Sequence, residues 1–263
     1  MRNDIVPALD STSAPDVPAW SIANWLDDPT LPSFEVLDTR SAQGRLDVRA
    51  KTVTVRDLVL AHGHACDGLL RGVWALRALF DLAFADAPID RSDLIVVSKN
   101  SPCLGDVAAY LTGARVRFGT HRLDNSLGVG FQLKQLSTAR TWEVREEDGF
   151  FPDVIVAWEA ALLDEVISES DKRELLAVHE AAQWDWVREH LFTSAPRDHY
   201  RARELTHLDL PAPLIEARRS DTVNRLVPAP ATLTGPDDPT VRNPVADELT
   251  LASWRDRYEQ GPT

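Results

Sequence analysis

The chain has 263 residues, of which 44% are hydrophobic and 26% charged, and its formal net charge is −13. That length holds one substantial core, or a core with a smaller appended unit, and the acidity repels phosphate backbones and so argues against a nucleic-acid partner. No stretch is apolar for long enough to cross a bilayer and the first residues carry no signal-peptide core, so no membrane partner and a cytoplasmic location are expected.

Residues 1–50 read as an N-terminal arm with several prolines and one short helix near 22–26. Residues 53–60 are apolar and helix-compatible, and they run into Ala61-His62-Gly63-His64-Ala65-Cys66-Asp67-Gly68. The next segment, 69–82, is apolar on most sides and predicts a largely buried helix. Residues 94–98 are a β-branched run that predicts a buried strand. Ser101-Pro102-Cys103 opens another helix, with Ser101 as N-cap and Pro102 at the first position, and Gly113 closes it. Residues 128–136 with 140–145 predict a hairpin, and 154–157 a further short strand. From residue 168 the character changes: Ser170 is placed to cap a long helix reaching about residue 192. After Pro211 the chain is rich in proline and charge and reads as an extended wrap or tail. The division expected is an arm over 1–50, an α+β core over 51–160, and a helical, Pro-rich C-terminal extension over 161–263.

The chemistry concentrates in two places. Cys66 and Cys103 are the two cysteines of the chain, which is too few for a four-thiolate zinc site. In a reducing compartment they are ligands or reactive thiols sooner than a staple. Each lies at a predicted helix start, where free N–H groups and the helix dipole favour a thiolate. His62, His64 and Cys66 stand at i, i+2 and i+4. In an extended segment the outer two would be roughly 13 Å apart, too far for one ion unless Gly63 bends the chain. The spacing therefore favours His64, Cys66 and Cys103 as a metal set, with His62 as a fourth ligand, a supporting residue or a proton carrier. Nitrogen and sulfur donors suit a divalent transition metal, zinc before others, with iron or haem as the alternative. Taken singly, a free cysteine is most often a small core residue, but two histidines and a cysteine within five positions are harder to dismiss.

Other residues carry weaker signals. His121 lies beside Gly119, Arg122, Asp124 and Asn125 and is read as part of a turn. His179, Gln183, Trp186 and His190 share one helix face, read as packing with a solvated edge. His199 and His207 are read as surface residues. Gly128-Val129-Gly130 is too short for a phosphate loop, and neither a Walker pattern nor Gly-x-Ser-x-Gly is present.

His62-Gly63-His64-Ala65-Cys66-Asp67-Gly68, with Gly72 after it, resembles the His-Gly-His-x-Cys-Pro-Gly-x-x-x-Gly motif of the FmdE-like family, named after a component of formylmethanofuran dehydrogenase. Cys103-Leu104-Gly105-Asp106, then Leu111-Thr112-Gly113, resembles the family's second segment, and Phe118-Gly119 with Leu123-Asp124 the stretch after it. The resemblance covers roughly residues 50–150. It implies an α+β core with mixed or antiparallel sheet and packed helices, a cleft where the cysteines and histidines meet, and a metal-associated role. The chain departs from the family pattern at Asp67, where proline is usual, at Val73-Trp74, where Tyr-Arg is common, and at Ala109, where glutamine is common. It also lacks the cysteines for the C-terminal zinc finger that many members carry.

These readings lead to a metal-dependent enzyme of small-molecule metabolism. His64, Cys66, Cys103 and His62 would hold the ion; His62, Cys66, Cys103, Asp67 and Asp106 would serve the chemistry. A non-catalytic protein that binds metal, haem or a cofactor is the alternative, and thiol redox between Cys66 and Cys103 a third reading. The partner expected is a small-molecule substrate, with a homodimer left open.

Overall fold

The computed structural model describes residues 25–39, 48–85, 87–163 and 168–210. Two sheets and six helices form an α+β architecture among these residues. In the smaller sheet β1 (Ser33–Thr39) pairs antiparallel with β2 (Val48–Thr54) and parallel with β3 (Ile89–Asp90). The larger sheet is mixed, in the order β5 (His121–Leu123), β4 (Leu94–Ser98), β6 (Gly130–Gln135), β7 (Thr141–Glu146), β8 (Tyr200–Leu205). Only the β4–β5 pair in it is parallel. β4 is buried along its whole length, as its β-branched run requires of a strand covered on both faces.

Helix α1 (Val55–His62) follows β2 without a loop. Thr54 caps it by a reciprocal box: the Asp57 N–H donates to Thr54 Oγ1 at 3.3 Å, and the Thr54 N–H donates to the Asp57 carboxylate at 2.8 Å. Helix α2 (Asp67–Phe84) is the centre of the core, with Leu69, Leu70, Val73, Leu76 and Leu79 fully buried. It packs on α3 (Pro102–Thr112) and on strands β6, β7 and β8. Gly68 and Gly72 make the first of these contacts possible. A Cβ on Gly68 would stand 3.1 Å from Cys103 Sγ, and one on Gly72 3.1 Å from Leu104 Cδ2. With no side chain at either position, the start of α3 lies directly against the first two turns of α2.

Helices α4 (Asp153–Leu162) and α5 (Glu169–Trp186) pack on each other, and a π-helical turn, Val187–Leu191, extends α5. A short helix α6 (Pro196–His199) leads into β8. The chain beyond residue 168 thus returns to supply the edge strand of the main sheet.

Several local expectations are corrected. Val53 and Thr54 end β2, so the helix expected at 53–60 begins two residues later, just after its capping threonine. Residues 154–157 lie in α4: Pro152 opens a ten-residue run with Asp153 in its first turn, and only Ile155 is buried, which no core strand would allow. The α5 cap is Ser168, whose Oγ accepts from the Asp171 N–H at 3.2 Å, and Ser170 lies inside the helix. His121 is 5% exposed within β5 and bonded through Nε2 to Ser98 Oγ at 2.8 Å, so it is a core residue and no turn. Residues 25–27 form a single 3₁₀ turn. The rest of the helix expected near 22–26, and the wrap expected after residue 211, fall outside the described residues.

Candidate metal and thiol site

The site begins with the bend that the spacing required. Gly63 closes α1 in the left-handed region at φ +100°, and its N–H returns to the Val59 carbonyl at 2.9 Å. A side chain there would be strained, so glycine is what lets the chain fold back between α1 and α2. His62 ends α1, Cys66 sits at the N-cap of α2, and the two approach instead of lying at opposite ends of a strand. His62 Nε2 is 3.8 Å from Cys66 Sγ, and the rings of His62 and His64 are 4.5 Å apart between centroids. One donor atom from each of His62, His64 and Cys66 lies within 4.8 Å of the other two.

Cys103 reaches this group from α3. Its Sγ is 3.5 Å from Cys66 Sγ. The distant cysteines thus meet because the two glycines of α2 admit α3. Sequence spacing favours Cys103 over His62 as a partner of His64 and Cys66. The structure draws His62 into the group through the Gly63 bend and sets Cys103 beside it.

The two thiols are hydrogen-bonded to each other, and that bond brings the Cys103 thiol down to about 6, with burial opposing and the nearby His62 helping. The same bond, together with burial, pushes the Cys66 thiol far above its ordinary value. Cys66 also works as a cap, its Sγ accepting the Leu69 N–H at 3.4 Å.

His62 is held from the other side. Asp106 accepts a hydrogen bond from Nδ1 at 2.8 Å, which leaves Nε2 to face the sulfur. The His62 side chain is 3% exposed, whereas that of Asp106 is 51% exposed. Imidazole therefore connects the sulfur pair to a carboxylate in solvent. Asp67 is engaged elsewhere: it pairs with Arg71 at 3.3 Å, and Arg71 also binds Glu146 and lies 3.9 Å above the Phe151 ring. Tyr200 donates to the same Glu146 at 3.0 Å. This largely buried chain of charges ties α2 to β7 and β8. Nothing in the sequence discloses it, since Arg71 and Glu146 are 75 positions apart.

His64, Cys66, Asp67 and Cys103 line one end of a cleft of about 1020 Å³, which is at the upper end of the size of small-molecule sites. Trp25, Val59 and Trp184 supply apolar wall, and further residues of α5, among them His179 and Gln183, line the cleft as well. Ser101 occupies the α3 N-cap position but makes no side-chain capping bond, and Lys99 nearby also faces the cleft.

The donor spacing can be compared with what one ion demands. Two sulfurs on a tetrahedral zinc lie roughly 3.8 Å apart, and a sulfur and an imidazole nitrogen roughly 3.6 Å, from bonds of about 2.3 and 2.0–2.1 Å. The observed 3.5 and 3.8 Å differ from these by a few tenths of an ångström, so these two spacings are compatible with a transition-metal ion, while His64, within 4.8 Å of His62 and Cys66, would close in on it.

A family model for FmdE, described as of the molybdenum formylmethanofuran dehydrogenase operon, matches residues 61–199. The chain belongs to the FmdE family. The match begins one residue before His62 and takes in Cys66, Cys103 and Asp106, so the whole cluster lies inside the FmdE region. The crystal structure of an FmdE-like protein of tungsten formylmethanofuran dehydrogenase from Syntrophus aciditrophicus is similar at 15% identity and a TM-score of 0.39. That similarity covers 59% of this chain and 71% of the other. No curated protein sequence matches this FmdE chain. Among the described residues, no helix is long and apolar enough to cross a membrane.

Proposed function

We propose that the protein is a metal-dependent enzyme of small-molecule metabolism, with zinc the favoured ion and the cleft above Cys66 and Cys103 as its substrate site. The observation that carries this reading is the convergence of His62, His64 and Cys66, donor atoms within 4.8 Å, at the end of a cleft sized for a metabolite. His62, His64 and Cys66 would hold the ion, with Cys103 next to them as the fourth donor or as a free thiolate facing the substrate. A zinc ion bound there would polarise a substrate oxygen or lower the pKa of a bound water. Asp106 fixes the His62 ring and its tautomer. When His62 is not a ligand, the path from Cys66 through its imidazole to exposed Asp106 can carry a proton out of the cleft. Asp67 and Arg71, locked to each other, set the charge of the wall.

Metal analysis of protein purified from zinc-replete medium tests this. One zinc per chain is expected, lost in Cys66→Ser and His64→Ala with folding intact by circular dichroism. Substoichiometric metal in the wild type overturns it.

One observation favours a second reading. Sulfurs 3.5 Å apart need to close to about 2.05 Å to form a disulfide, a small movement for two half-buried side chains. A dithiol that cycles with its disulfide would lose both free thiols to mild oxidation and recover them with a reductant.

A further inference from the structure

One wall of the cleft is built from α5, and two of its residues there carry polar atoms without a hydrogen-bond partner among the described residues. Gln183 is 8% exposed, lines the cleft, and makes no side-chain hydrogen bond among the described residues. His179, one turn earlier on the same face, also lines the cleft, and its Nδ1 is buried with no partner. A buried imidazole nitrogen is ordinarily paired, because an unmet polar atom forfeits its hydration for nothing, whereas the unpaired Gln183 amide is not sealed off and stays open to a ligand. Both groups lie beside the aromatic wall, where Trp184 sits 5.6 Å from Trp25 between ring centroids. Glu159 and Glu180, the latter one residue from His179 on α5, also line the cleft, and an anionic group is disfavoured beside these carboxylates. A carboxamide offers donor and acceptor side by side, the complement of the Gln183 amide.

We propose that His179 and Gln183 form a recognition subsite for a neutral planar amide or lactam edge on the ligand of this cleft. The substrate class follows: a flat ring or short apolar body carrying an amide-type edge at one end, with its reacting end toward Cys66 and Cys103. This deepens the proposed function and rests on it for the identity of the reacting end, while the subsite itself needs no metal.

The test uses the full chain and three fragments of one shape: benzamide, benzoate and toluene, titrated by ligand-observed NMR. Benzamide is expected to bind at least about tenfold more tightly than benzoate or toluene. Gln183→Met should erase that margin while leaving toluene affinity unchanged, which shows an intact wall. Cys66→Ser should leave the margin untouched, so failure of the metal reading is seen separately. If Gln183→Met loses toluene as well, Gln183→Asn decides, since it withdraws the amide by one methylene. A severalfold fall in benzamide affinity with constant toluene supports the subsite. Equal binding of the three fragments by the wild type, or a benzamide margin that survives Gln183→Met or is unchanged in Gln183→Asn, overturns it.

Discussion

His121 makes the protein's stability depend on acid in a way that can be calculated. Burial in β5 lowers its imidazole from an ordinary 6.5 to about 4, although the Asp106 carboxylate nearby works in the opposite direction. On acidification the unfolded chain takes up this proton near pH 6.5 and the folded chain only near pH 4. Stability from this residue is therefore complete above about pH 6.5, drains away as pH falls, and is gone below about pH 4. The interval between 6.5 and about 4 corresponds to about 3.4 kcal/mol in full and about 2 kcal/mol by pH 5. Urea unfolding of the wild type and of His121→Gln at pH 7.5, 6, 5 and 4.5 measures it. Glutamine can keep the bond to Ser98 but cannot titrate, so the difference between the two proteins should shrink by about 2 kcal/mol between pH 7.5 and 5. Parallel pH dependence in the two proteins would refute the reasoning, as would an NMR titration that places the folded imidazole near 6.5.

Three more outcomes can be checked directly. Asp106→Asn removes the carboxylate that orients His62, and zinc affinity measured against a chelator should fall roughly 10–100-fold; an unchanged affinity would leave Asp106 without the role given to it. Gly68→Ala drives a methyl to within 3.1 Å of Cys103 Sγ, so the Cys103 side chain or the start of α3 must give by a few tenths of an ångström. A loss of about 1–3 kcal/mol is expected, with altered thiol reactivity, and a neutral substitution would mean that the helices do not depend on this close approach. Arg71→Met leaves the largely buried Glu146 with Tyr200 as its remaining partner and should cost about 3 kcal/mol, the low end for a buried pair, in urea unfolding, much of it restored by adding Glu146→Gln; a loss below about 1 kcal/mol would contradict the network.

How much of this is legible in the sequence depends on how local each signal is. The helix from Pro102 to its glycine stop, the strand at 94–98 and the hairpin that follows are encoded by neighbouring residues, and the fold keeps them. The α+β class and the FmdE resemblance are readable from two short motifs. The meeting of Cys66 with Cys103 is readable as a pattern, but its cause is not. It lies in Gly68 and Gly72, whose missing side chains mean nothing until α3 is laid against them. The strand Tyr200–Leu205 escapes a reading by neighbours because it is held by pairing with distant β7, and Ser33–Thr39 because it is completed by β3 as well as by the next strand. Val154 to Ala157 mislead for the same reason in reverse: β-branched residues suit a strand, and here no neighbouring strand claims them. His179 and Gln183 are visible as one face, but a face does not reveal whether a cavity lies in front of it.

The π-helical turn after Trp186 joins the outer wall of the cleft to the last strand of the sheet. Tyr200 on that strand holds Glu146, which holds Arg71 on the helix beneath the sulfurs. Floor and wall are thereby bolted to one another through the interior. A molecule of the kind proposed for this cleft would meet two sides that cannot part without breaking that chain of bonds.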